Sequence, residues 1–414
     1  MKMNAIVAGV GMTTFGKHIA RSLKDLAGEA ISTALRDAGL SGADIQAAYM
    51  GNAAAGTITG QVCIPGEVVL REMGIGGIPV VNVENACATA STALNQAAAM
   101  VTFGAYDVVL ACGYEKLADP DKAKTFSVFS GAVDVLARDR LRGQIDDKMR
   151  AVGIDLDPAT AAARSLFMDI YAVEAIGHMQ KYGTTREQLA AVPAKNSLFG
   201  VHNPRAQFRD VVSVEDVLAA REIIWPLTLP MCSPIGDGAA AVVLVSEKKA
   251  RELGLVEPVR LVASTLQTGW DYGPGDQSLI FHKVIGEVYE DAGIGPGDLD
   301  VVELHDASAS SEILHTEYLG LCAPGEGGRL VESGETGPGG RVVVNPSGGL
   351  LRKGHPIGAT GIAQIVELTE QLQSRSGARQ AEGARVALAE NGGGYINGDV
   401  AALCVTILKG GSHG

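Results

Sequence analysis

The 414-residue chain has no Cys-x-x-Cys pair, no histidine-rich tract and no apolar stretch of about 18 residues. The first two absences exclude a conventional zinc site, and the third a membrane-spanning helix. Basic residues are in deficit: 34 Lys and Arg stand against 47 Asp and Glu, a formal charge of −13. Without a broad basic surface, nucleic acid is excluded as a default partner, while an anionic small ligand needs only a few local Lys or Arg side chains. The six cysteines, at positions 63, 87, 112, 232, 322 and 404, are widely scattered, which reads as a reduced, cytoplasmic protein. The opening "MKMNAIVAGVGMTTFGKH" has its apolar run broken by glycines and reads as a strand, not a signal peptide. "GVGMTTFG" lacks the length of a glycine-rich phosphate loop, and the closing "KGGSHG" reads as a frayed tail.

What is present is an ordinary globular composition, 46% hydrophobic and 20% charged, in a chain long enough for two or three domains. Two stretches resemble each other: "RDAGLSGADIQAAYMGN" (36–52) and "EDAGIGPGDLDVVELHD" (290–306). Each reads as a helix end with a glycine stop, an acidic turn and an apolar strand. A second pair follows, "GDGAAAVVLVS" (236–246) and "GDVAALCVTIL" (398–408). Asp44 to Asp237 spans 193 residues and Asp298 to Asp399 spans 101, so the first copy carries about 90 more. The extra segment falls between "ACGYEKL" and "WPLTLPMCSP" and is rich in charge and helix formers. These features predict an α/β tandem duplication with a helical insertion and sheets covered on both faces. "EKKARELGLVEP" is polar enough to join the halves.

Each half holds one reactive side chain at an expected strand-to-helix turn: Cys87 in "NVENACATAS" and His355 in "RKGHPIGATG". If the halves pack as pseudo-symmetric copies, the two converge. A helix start favours a thiolate and an imidazole can take the thiol proton, which together make a nucleophile. The simpler readings, a core cysteine and a turn histidine, stand beside this one.

The opening "VAGVGMTTFGK", "NVENACATAS", "KNSLFGVHNPRAQFRDVVSVEDVL", "CSPIGDGAAAVVL", "HDASASSEILHTEYLGLC" and "NPSGGLLRKGHPIGATG" occur in one order across nearly the whole chain. In these pieces the sequence resembles the thiolase superfamily, nearest the sterol-carrier-protein-2 type. The resemblance implies a five-layered αβαβα thiolase fold made of two similar halves, with an inserted loop domain. It places the N-terminal half at 1–118 and 206–250, the loop domain at 119–205 and the C-terminal half at 255–414. It implies an acyl-CoA C-acyltransferase with Cys87 as the acylated nucleophile, His355 as its base and His305 as an oxyanion-hole donor. Ser233 would contact the pantetheine arm. Coenzyme A would be a cosubstrate, with no metal and no permanently bound cofactor. A homodimer or tetramer is implied, and by analogy a small zinc-ribbon/OB-fold (DUF35-type) partner protein.

The chain departs from the family at the second acid/base, usually a cysteine in a Cys-x-Gly loop or in "HDCF". Here the loop reads "ALAENGGGYINGD" and the second site has Ala307. Glu390 and Tyr395 flank the glycine run and become the candidates, Glu390 with a raised pKa and Tyr395 as an acid. The loss also keeps open a retro-aldolase that cleaves a 3-hydroxyacyl-CoA with Tyr395, and a non-catalytic lipid carrier or scaffold. "ARDRLRGQIDDKMR" offers Arg and Lys to a coenzyme A phosphate, but its interleaved acids fit a solvated helix face better.

Overall fold

A computed structural model describes residues 1–154, 156, 165–256, 258–273 and 279–411. The described residues hold strands β1 (Lys2–Met12), β2 (Ala47–Gly51), β3 (Val80–Val83), β4 (Val108–Glu115), β5 (Glu222–Ile224) and β6 (Leu227–Thr228). The later ones are β7 (Gly238–Val245), β8 (Val259–Gln267), β9 (Val301–Glu303), β10 (Val343–Val344), β11 (Val386–Ile396) and β12 (Asp399–Lys409). Ten of them make one sheet in the order β10-β9-β11-β12-β8-β1-β7-β4-β2-β3, and β5 pairs with β6. Outward from the β1–β8 pair the two ends match strand for strand. On each side the three outermost strands are parallel and the inner pairings antiparallel.

The duplication seen in the sequence is present down to its hydrogen bonds. Helices Leu23–Asp37 and Leu279–Ala292 are followed by Gly39 and Gly293, with φ of 65° and 64°. Only glycine adopts that conformation freely, so both helices stop there. Asp44 then accepts a hydrogen bond from the Ser41 N–H and Asp298 from the Gly295 N–H, each at 2.8 Å. The copies differ where the strands reverse. β11 and β12 are joined by a two-residue turn, whereas between β4 and β7 the described residues hold five α-helices and the β5–β6 hairpin. They are Lys122–Ser127, Arg138–Ala151, Leu166–Tyr182, Arg186–Gly200 and Val214–Ala219, and the last four share an apolar cluster that includes Ile145, Met149, Ile176 and Leu189. Helix Glu247–Glu252 lies in the segment that links β7 to β8.

Five layers follow from which faces are apolar. Helices Thr89–Thr102 and Thr360–Leu372 are buried together with the inner faces of both sheet halves, through Ala93, Ala97, Ile362 and Ile365 against Ala5, Val109, Val301 and Ala387. Helix Leu23–Asp37 covers the outer face of one half and Leu279–Ala292 that of the other. Strands covered twice are continuously apolar: β4 and β7 are buried at every position. The layering is αβαβα, and the two β layers are joined by the β1–β8 ladder. Small residues let the central layer close: a Cβ on Gly113 would lie 2.4 Å from the Gly358 carbonyl oxygen. That contact brings the end of β4 against the turn that carries His355.

Candidate active site

Between β3 and helix Thr89–Thr102 the chain makes one tight turn, Ala86–Ala88. Ala86 has a φ of 47°, a left-handed conformation costly for a residue with a Cβ. Its N–H donates to Glu84 Oε1 at 2.6 Å, and Asn85 donates from its backbone to Thr89 Oγ1 and from its side chain to Thr92 Oγ1. Across the interface, the glycines after Glu390 lie directly on this turn. A Cβ on Gly393 would meet the Asn85 oxygen at 2.3 Å and the Ala88 nitrogen at 2.5 Å, so only glycine fits. The Cys87 side chain is half-buried.

The thiol is not a resting thiolate. Burial and the nearby Glu115 carboxylate push its pKa up to about 12, against backbone N–H hydrogen bonds from Gly394 and Cys87 that pull it down. The helix start expected to stabilise the anion is outweighed by desolvation. At neutral pH the group is therefore held as the thiol, and any reaction at the sulfur needs a neighbour that accepts its proton.

His355 is placed to take that proton. Cys87, His305 and His355 bring one ligand atom each to within 4.8 Å of one another. Thr360 Oγ1 donates its single hydrogen to the Pro356 carbonyl at 3.1 Å and therefore accepts from His355 Nδ1 at 2.8 Å. The proton thus sits on Nδ1, and Nε2 is an acceptor. His305 Nε2, 3.4 Å from His355 Nε2, is then the donor of that pair. Burial lowers both pKa values, His305 to about 4 and His355 well below its ordinary value, so both rings are neutral at pH 7. One neutral ring offers an acceptor nitrogen and the other a hydrogen-bond donor.

Buried polar groups hold these rings. Asp306 accepts from the Leu350 N–H at 2.7 Å and from Asn196 Nδ2 at 3.0 Å. Lys353 pairs with Glu303 at 2.9 Å, and Lys195 with Glu312 at 2.5 Å. Glu115 accepts backbone N–H groups from Ala53, Ala54, Lys116 and Gly358, clamping "GHPIGATG" to the first half. Burial pushes its pKa up to about 7.

A cavity of about 1080 Å³ opens from Cys87 and His305 along helices Leu166–Tyr182 and Ala309–Tyr318. Tyr395 lines it, with its pKa pushed up by burial. Glu390 does not line it. Its fully buried carboxylate accepts from the His305 N–H at 3.0 Å and from His315 Nδ1 at 2.8 Å. Burial would raise its pKa, but His315 and His305 hold it below the ordinary carboxylate value. The raised pKa expected of it is therefore absent, because those donors favour the ionised form. Ser233 also lies off the cavity wall and donates its backbone N–H to the Ala307 carbonyl at 3.0 Å. In helix Arg138–Ala151 the arginines are largely solvated and Arg150 pairs with Asp147, while Gln144 and Lys148 reach the cavity.

Sequence reading passed over Thr360, Glu115, His315 and Glu174. Thr360 lies five residues after His355 at a helix start, a spacing that carries a signal. The others come together only through the packing of distant segments.

Family models described as "Thiolase, N-terminal domain" and "Thiolase C-terminal domain-like" match residues 5–219 and 281–406. Human "Sterol carrier protein 2" is 37% identical over 416 residues, covering 97% of this chain and 71% of that protein. An "Acetyl-CoA acetyltransferase" of Methanothermobacter thermautotrophicus is 39% identical over 393 residues, covering 94% of this chain and 96% of that protein. A solved structure described as "Ltp2-ChsH2(DUF35) aldolase" superposes with a TM-score of 0.76 at 24% identity, covering 100% of this chain and 99% of that one. At that identity the likeness speaks for the fold.

Proposed function

This chain belongs to the thiolase family of acyltransferases, and from that membership we propose that it makes or breaks the carbon–carbon bond of a 3-oxoacyl-CoA through an acyl group carried on Cys87. The observation that carries the proposal is the meeting of Cys87, the acceptor Nε2 of His355 and the donor Nε2 of His305 at the end of one cavity.

In the cleaving direction His355 Nε2 takes the Cys87 proton as the sulfur attacks the 3-keto carbon. The tetrahedral centre collapses, the bond between the α- and 3-carbons breaks, and its electrons leave as the enolate of a shorter acyl-CoA. The neutral His305 Nε2–H stabilises charge on an oxygen without itself carrying charge. The enolate takes up a proton, for which Tyr395 on the cavity wall is the candidate acid. Its raised pKa suits it to donating rather than accepting at neutral pH. Glu390 acts as a positioning residue that fixes His305 and His315. The thiol of coenzyme A then attacks the acyl-Cys87 and frees the chain, His355 moving the proton. Lys148 and Lys181 at the cavity suit the coenzyme A phosphates.

The division into halves 1–118 with 206–250 and 255–414, around an inserted lobe at 119–205, is the working description of this machinery. The lobe supplies one wall of the cavity through helix Leu166–Tyr182. β3 is an edge strand with Val81 exposed, which suits a second copy of the chain, and the dimer or tetramer is part of the proposal. So is a small DUF35-type partner, named in the aldolase neighbour. The deciding experiment is intact-protein mass spectrometry after incubation with acyl-CoA and 3-oxoacyl-CoA thioesters. An acyl-sized gain that Cys87→Ala abolishes supports the proposal. No adduct from any thioester, with cleavage of a 3-hydroxyacyl-CoA dependent on Tyr395, would replace it with the retro-aldolase.

A further inference from the structure

Spacing along the chain excludes a conventional zinc site, yet folding assembles ligands that no spacing rule registers. Cys87, His305 and His355 come from three distant segments, and one ligand atom of each lies within 4.8 Å of the others. Among the described residues no other three Cys, His, Asp or Glu side chains meet in this way. A tetrahedral zinc ion bound at about 2.0–2.1 Å keeps two nitrogens about 3.3–3.4 Å apart. The Nε2 atoms of His305 and His355 stand 3.4 Å apart. A sulfur about 2.3 Å from the same ion lies about 3.5 Å from each nitrogen, so the thiol has roughly 1 Å to close. The Cys87 side chain is half-buried at the cavity, which leaves it that freedom.

The surroundings suit a cation. The Glu115 carboxylate disfavours a bare thiolate at Cys87, whereas a bound dication removes the thiol proton outright and is itself attracted by that carboxylate. Metal-ligating histidines donate their second ring N–H to an oxygen. His355 Nδ1 donates to Thr360 Oγ1 at 2.8 Å. On the His305 side the fitting oxygen is Glu390 Oε1, fully buried and without a hydrogen-bond partner. A Cβ on Gly392 would lie 3.8 Å from His305 Nδ1 and 3.9 Å from Glu390 Oε1, so both border one small space. The acids of the cavity wall stay outside the trio. Glu317 pairs with His178, and Glu174 makes no hydrogen bond or ion pair among the described residues. One sulfur and two imidazole nitrogens favour zinc over magnesium or calcium, which take oxygen ligands.

We propose that Cys87, His305 and His355 bind a soft divalent ion of the zinc class, which reversibly silences and shields the Cys87 sulfur. Binding breaks the S–H bond, forms a metal–thiolate bond and releases one proton to solvent. The His305 proton moves from Nε2 to Nδ1, and nothing is oxidised or reduced. Water from the cavity takes the fourth position. The binding stands on the geometry, while the silencing rests on the acyl transfer proposed above.

The experiment is titration of the full, metal-free chain with cobalt(II). Thiolate-to-cobalt charge transfer reports sulfur coordination, and the visible bands report a four-coordinate ion. One equivalent should bind, and zinc(II) should displace it. Cys87→Ser should abolish the charge-transfer band. His305→Ala, His355→Ala and the milder Glu390→Gln should each weaken binding by about tenfold or more, with thermal melting verifying that each variant is folded. No charge-transfer band in the unaltered chain, a band that survives Cys87→Ser, or unchanged affinity in both histidine variants would overturn the proposal. Zinc at about ten times its dissociation constant should slow iodoacetamide alkylation of the Cys87 peptide about tenfold, and EDTA should restore the rate. An unprotected sulfur would overturn the proposal equally. Acyl transfer to Cys87 is scored in metal-free protein. A failed reaction there leaves metal binding standing, and a failed cobalt titration leaves acyl transfer standing.

Discussion

Cys87 and His355 occupy equivalent places in the two halves, each at the turn before a central helix, yet the halves present them by opposite means. The first half uses backbone: a left-handed Ala86 and a tight turn, with a half-buried sulfur and the glycine loop of the second half pressed against the turn. The second half uses buried side chains: Thr360 on the ring itself, and the Lys353–Glu303 and Asp306–Leu350 contacts around its loop. The difference fits what each group must do in the proposed reaction. A nucleophile has to be approached, so its neighbours are small and leave room. A base has to point one particular nitrogen at one atom, so its neighbours are polar and directional.

The largest expected effect falls on the backbone side. Cys87→Ala should lower thiolytic turnover by about 10⁴-fold or more, measured as loss of 3-oxoacyl-CoA cleavage, while leaving the melting temperature within a few degrees. If turnover survives, the contrast between a nucleophile half and a base half disappears. On the other side, Lys353→Met leaves Glu303 charged, buried and unpaired. It should cost about 3–5 kcal/mol in chemical unfolding, far more than Cys87→Ala. Equal stability losses in the two variants would show that the side-chain network is not what distinguishes the halves.

A third test uses pH. The folded pKa of His305 is about 4, below the ordinary histidine value near 6.5, so the unfolded chain binds the proton first as pH falls. The contribution of this neutral ring is fully present above pH 6.5 and is lost as pH drops toward 4, roughly 3 kcal/mol in all. Urea unfolding across that window should show a shallower slope for His305→Asn than for the unaltered protein. The smallest effect is expected for Thr360→Val. It frees the tautomer of His355 and should reduce kcat by about tenfold with little change in KM, accompanied by slower alkylation of Cys87 by iodoacetamide.

Much of the architecture was legible before any coordinates. The repeated "DAG" helix ends, the Asp44 and Asp298 turns and the apolar "AAAVVLV" type strands are local patterns, and local physics dictates them. The insertion between β4 and β7 was likewise visible as unequal spacing between repeats. Cys87, His355 and His305 could be singled out because each sits in a motif. Ser233, singled out in the same way, lies off the cavity wall.

The sequence by itself therefore determined the elements, their duplication and the motifs that carry Cys87, His305 and His355, since periodicity, glycine stops and turn chemistry act over a few residues. Only the tertiary structure decided protonation and partnership. Cys87 is a thiol because desolvation and Glu115, 28 positions along the chain, outweigh the helix start. Glu390 is ionised because His315 and the His305 backbone converge on it. Glu174 faces the cavity without a partner because helix Leu166–Tyr182 packs where it does. Burial and electrostatic fields sum over every segment that folding brings near, and no single stretch of chain contains that sum.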